Sequence, residues 1–186
     1  MAIYPIIIAP DPVLKQKSVP VERVDDEVRA TLSNMLETMY RSGGIGLAAV
    51  QVGILRRLIV ADVHWRDEDP DSRQPLKLVN AEILWNAEED APYNEGCLSF
   101  PDQYSEVIRP NEVKVAYLDE QGARQELHAT GLLATCIQHE IDHMNGITFV
   151  DHISRTRREI ILNKLRKAKR HGDFDGHVHG EHCNHG

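Results

Sequence analysis

The sequence is poor in cysteine, with only Cys97, Cys136 and Cys183. An odd and sparse set gives no disulfide framework. A reducing, cytoplasmic setting is expected, with thiols free for metal chemistry. The chain also lacks any apolar run that approaches the length of a membrane span. Its opening, Met1 to Pro10, is apolar but short. It has neither a basic leader nor a small-residue cleavage site, so no signal peptide is expected. No internal repeat is visible. What is present is an ordinary globular composition, 41% hydrophobic and 27% charged. A length of 186 residues suits one domain with one core.

Charge is unevenly spread. The net charge is −8, yet residues 154–170 hold eight Lys/Arg against the single acid Glu159. That segment is +7, leaving −15 on the rest of the chain.

The pattern of residues predicts an α+β fold, antiparallel strands around a central metal-binding helix, with a C-terminal helix. A first helix follows Asp25 or Asp26, which can cap it. Val28, Leu32, Met35, Leu36 and Met39 keep helical spacing, and Gly43-Gly44 ends it. Leu58 to Val63 and Leu76 to Trp85 read as strands around a charged loop at 64–75. Val113 to Leu118 and Arg124 to His128 flank a hairpin signal at Glu120-Gln121-Gly122. A second helix runs from about Gly131 to Asn145, stopped by Asn145-Gly146. Its apolar residues nearly surround it, which is the mark of a buried helix. A third begins after Ser154, with Ile160, Ile161 and Leu165 on one face. Residues 1–170 form one domain in this reading. Residues 171–186 form a His-rich tail expected to be disordered, whose His171, His177, His179, His182, His185 and Cys183 could bind metal loosely.

The second helix contains His139-Glu140-Ile141-Asp142-His143. Residues four apart share a helical face, offset by about 40° and ~6 Å along the axis. Two imidazoles can then grip one cation, while Glu140 reaches a water at the same ion. A catalytic site commonly has a third protein ligand. Phe149 stands where a longer zinc-protease pattern would place a third histidine, and Phe cannot bind metal. His152 is eligible by type but lies past the helix end. Cys97 is the better candidate, a soft ligand suited to iron or zinc, and Gly96 before it permits close backbone approach. Arg109, following the cysteine segment, is expected to pair with Glu95, Asp142 or both.

Three ordered segments resemble the motifs of peptide deformylases: Gly44-Ile45-Gly46-Leu47-Ala48-Ala49-Val50-Gln51, Glu95-Gly96-Cys97-Leu98-Ser99 and Gln138-His139-Glu140-Ile141-Asp142-His143. The likeness covers roughly residues 3–165. Such enzymes are hydrolases that remove the formyl group from the starting methionine of new polypeptides and release formate. The resemblance implies Cys97, His139 and His143 as metal ligands and Glu140 as acid and base. It implies Gln51 and the backbone N–H of Leu98 as donors to the formyl oxygen, with Gly46 binding substrate backbone. Ile45, Tyr93, Leu132, Thr135 and Cys136 would line the methionine pocket. It implies one divalent ion, Fe(II) favoured, with Ni(II), Co(II) or Zn(II) accepted. The partners implied are N-formylmethionyl peptides and, through the basic helix 154–170, the ribosome. Departures from the family pattern fall at Val50, Ala81, Tyr104 and Met144. None removes a catalytic group.

Overall fold

A computed structural model describes residues 1–174, so the tail residues His177, His179, His182, Cys183 and His185 lie outside the described residues. In chain order the elements are α1 (Asp26–Arg41), β1 (Gly46–Ala48), β2 (Leu58–Ala61), β3 (Leu76–Asn86), β4 (Asp90–Cys97), β5 (Phe100–Pro110), β6 (Glu112–Leu118), β7 (Arg124–Thr130), α2 (Gly131–Met144) and α3 (Arg155–Arg170).

Local chemistry accounts for the helices. Asp25 caps α1 by accepting from the Val28 N–H. Val28, Leu32, Met35 and Met39 are buried at helical spacing against Leu47, Leu58 and Val60. Each such side chain contributes about 1.5–3 kcal/mol by leaving water. α2 ends as its sequence suggests: Gly146 takes a φ of +75°, and any side chain there would collide with the Lys15 carbonyl. α3 buries Ile161 and Leu165, whereas Ile160, expected on the same face, is 49% exposed. At 100° per residue, Ile160 is rotated off the stripe that Ile161 and Leu165 define.

Five strands form an antiparallel sheet in the order β1-β2-β3-β6-β7. β4 and β5 form a separate antiparallel ribbon. α2 lies between the layers, with Ile137, Ile141 and Met144 packed among Ile59, Leu78, Val113 and Val115. From Ala134 to Met144 only Asp142 escapes full burial.

Strand boundaries differ modestly from the sequence reading. β2 stops at Ala61, because Asp62 is taken up by turn contacts: it accepts from the N–H groups of His64, Trp65 and Gln74. The β4–β5 ribbon is the element for which the residue pattern gave no strand prediction. β4 carries Pro92 and Gly96, and the ribbon buries Glu95, Ser105 and Arg109. Where polar groups face inward, the alternation of apolar and polar residues that signals a strand disappears.

Candidate metal centre

α2 is a buried helix that brings four polar side chains into the interior. Gln138, His139, Glu140 and His143 are all at most 7% exposed. Unpaired burial of such groups costs several kcal/mol, about 2–7 each in an apolar setting. Their partners therefore define the site.

His139 and His143 project toward Cys97, at the end of β4. The ligand atoms of these three residues all lie within 4.8 Å of one another. His143 Nε2 is 3.2 Å from His139 Nε2 and 3.3 Å from Cys97 Sγ. Metal–ligand bonds of about 2.0–2.3 Å in a tetrahedron give ligand-to-ligand edges of roughly 3.3–3.8 Å. The observed spacings are close to that. A second observation fits a cation: Glu140 Oε2 is buried and has no partner among the described residues.

The imidazole of His139 is aimed by a chain of ionic contacts. Its Nδ1 lies 2.9 Å from Glu95 Oε2, so the ring donates there and turns its Nε2 toward the cluster. Arg109 donates to both oxygens of Glu95, at 2.5 and 3.1 Å, and to Asp142 Oδ2 at 2.8 Å. The bridge expected at Arg109 is thus present to both acids. It ties the cysteine ribbon to the helix bearing the histidines. Burial raises the Glu95 pKa, but hydrogen bonds from His139 and Arg109 outweigh it and bring the carboxyl down to about 2. Phe149, standing where a third histidine would otherwise be, is buried and stacks on the His139 ring at 6.3 Å. His152 turns away from the cluster onto Asp142.

Glu140 is 4% exposed, and burial pushes its carboxyl up to about 7. β1 presses against it. A Cβ at Gly46 would sit 2.5 Å from Glu140 Oε1 and 2.8 Å from Cys136 Sγ, so any side chain there would have to push these groups aside. β1 pairs with β2 alone, which leaves its other edge without a strand neighbour among the described residues.

Gln51 completes the cluster. Its Oε1 accepts from the Ala48 N–H at 2.9 Å, which turns Nε2 toward Cys97 Sγ at 3.4 Å and Ser99 Oγ at 3.2 Å. Ser99 is fully buried, and nothing in the sequence assigns it a role. Its signal there was only its place two residues after Cys97. Leu98 lies in the turn between β4 and β5, its side chain over Gly44.

The remaining candidates divide. Leu132, Thr135 and Cys136 share the face of α2 that continues into His139 and His143 by steps of three and four. Cys136 Sγ donates to the Ile45 carbonyl at 3.5 Å, and burial raises its thiol pKa well above the usual range. Tyr93 lies on β4, opposite Val107 and 40% exposed.

The family model described as polypeptide deformylase matches residues 3–159 of the chain. A peptide deformylase of Methylocella silvestris is 55% identical over 168 residues, covering 90% of this chain and 86% of that protein. One from Phenylobacterium zucineum is 53% identical over 167 residues, covering 90% and 97%. The crystal structure of peptide deformylase from Ehrlichia chaffeensis superposes with a TM-score of 0.85 at 36% identity, covering 91% of this chain and 98% of that one.

Proposed function

Given that the chain belongs to the polypeptide deformylase family, a family of hydrolases, we propose that it hydrolyses the N-formyl group from the initiator methionine of nascent polypeptides in a metal-dependent reaction in the cytoplasm. The observation that carries this is the convergence of Cys97, His139 and His143 beside a buried, unpartnered Glu140 oxygen. Three protein ligands leave an open position, as hydrolysis requires and a structural site does not. Cys97, His139 and His143 would hold one divalent ion, Fe(II) for preference, with Ni(II), Co(II) or Zn(II) able to substitute. Such an ion supplies Lewis acidity and makes water nucleophilic near neutral pH.

The chain's own groups perform the rest. Glu140 takes the proton of the attacking water and returns it to the leaving amine, so that formate and a free N-terminus result. Gln51, held by the Ala48 N–H, offers its amide to the oxygen on which negative charge develops. The Leu98 N–H would be its second donor. The open edge of β1 at Gly46 suits an extended substrate backbone. Ile45, Leu132, Thr135 and Cys136 would receive the methionine side chain, with Tyr93 at the rim. The exposed basic residues of α3, among them Lys164, Lys167 and Arg170, would meet ribosomal phosphates.

The test is deformylation of formyl-Met peptides against internally blocked peptides, with Glu140→Ala beside wild type. Removing a positioned proton carrier should slow turnover about 10²–10⁴-fold while bound metal stays constant. Wild-type turnover by Glu140→Ala would refute the mechanism.

A further inference from the structure

His152 takes no part in the chemistry above, yet it is joined to the site. It ends the short 3-10 turn Phe149–His152 that follows α2, with 35% of its side chain exposed. Its Nε2 is 2.7 Å from Asp142 Oδ2, the same oxygen that accepts from Arg109 Nη1 at 2.8 Å. Arg109 grips Glu95, and Glu95 grips His139 Nδ1. Every link of this line, from the surface to a ligand imidazole, is between 2.5 and 3.1 Å.

The line has one weak member. Glu95 and Arg109 are almost wholly buried, and once paired they have nowhere else to turn. Asp142 is different, since 18% of its side chain meets solvent, where its carboxylate can exchange Arg109 for water. A donor from His152 on the shared oxygen opposes that exchange. With Asp142 held, Arg109 is pinned on two sides, and Glu95 Oε2 keeps both its donors.

We propose that His152 is a positioning residue for the metal centre, acting through Asp142, Arg109 and Glu95 to keep the His139 imidazole aimed at the ion. The inference rests on the metal-site reading above. Outer partners of metal-bound histidines govern retention of the ion, by roughly 10–100-fold when directly bonded to the ligand. His152 stands further out, so a smaller effect is expected.

The experiment loads wild type, His152→Ala and His152→Gln with Co(II) under anaerobic conditions. The visible absorption of the bound Co(II) and its rate of release to excess chelator are then followed. His152→Ala should release Co(II) roughly three- to tenfold faster, with an altered visible band. His152→Gln, whose amide N–H can reach Asp142, should restore most of both. Wild-type release and spectrum in His152→Ala would overturn the proposal, and so would a His152→Gln indistinguishable from His152→Ala. Because neither readout is activity, these failures leave the deformylase reading standing. Failure of wild type itself to retain Co(II) would overturn both.

Discussion

Replacing Arg109 by Met removes the guanidinium but keeps an apolar stem of similar length. Three hydrogen bonds between charged groups are lost, two to Glu95 and one to Asp142. At about 1.5–3 kcal/mol each, they set a ceiling of roughly 4.5–9 kcal/mol. The ceiling is not reached, because Asp142 is partly exposed and can rehydrate, while the Met stem packs where the Arg stem did. Glu95, 3% exposed, has no such recourse and keeps only His139. Breaking a buried pair by removing one partner costs about 3–5 kcal/mol, and that is the expected loss. For a chain of this size about 2–4 °C accompanies each kcal/mol, so the melting temperature should fall by about 6–20 °C. The assay is thermal and urea unfolding at pH 7 with a chelator present, so that bound metal does not enter. Adding Glu95→Gln should recover part of the loss, since the stranded carboxylate is then neutral and its amide oxygen still accepts from His139. A loss below about 1 kcal/mol, or strict additivity of the two changes, would refute the idea that this buried network ties the ribbon to α2.

Gly46→Ala puts a methyl group against Glu140 Oε1 and Cys136 Sγ, so turnover should drop about 100-fold while the chain stays folded; activity within about threefold of wild type would disprove the close approach. Asp151 is raised by burial but lowered more by Lys15 and the Thr148 N–H, so its folded pKa lies below its unfolded one. Its contribution is therefore present above the unfolded pKa and lost as pH falls through the folded one. Asp151→Asn should cost about 1 kcal/mol at pH 7, discounted because Lys15 is half exposed, and urea unfolding should show the gap to wild type closing below about pH 4. Reversing the exposed charges Lys164, Lys167 and Arg170 to Glu should weaken ribosome co-sedimentation at low salt and spare activity on short formyl-peptides; unchanged, salt-insensitive binding would count against docking through α3.

Helix positions could be read directly from the chain because they depend on spacing. The i, i+4 relation of His139 and His143 places two imidazoles on one face whatever surrounds them, and Asn145-Gly146 stops the helix for purely local reasons. The apolar residues around α2 announced its burial. The Glu120-Gln121-Gly122 turn likewise announced the β6–β7 hairpin. Residue chemistry alone made Cys97 a candidate third ligand and Arg109 a candidate bridge. Neither could be placed by spacing, for Cys97 is 46 residues from His143 and Arg109 is 33 from Asp142.

Tertiary packing decided those separations. The β4–β5 ribbon has a weak strand pattern because Glu95, Ser105 and Arg109 face inward, and Glu95 and Arg109 gain His139 and Asp142 as partners only once α2 packs on the ribbon. Packing also turned His152 onto Asp142 instead of the metal cluster and set Ser99 against Gln51. It brought Gly46 within a methyl's width of Glu140. Such contacts join segments that share no local signal, so they form only when the core closes around α2. Sequence determined which groups could act, and the packing of sheet and ribbon on α2 decided which of them meet.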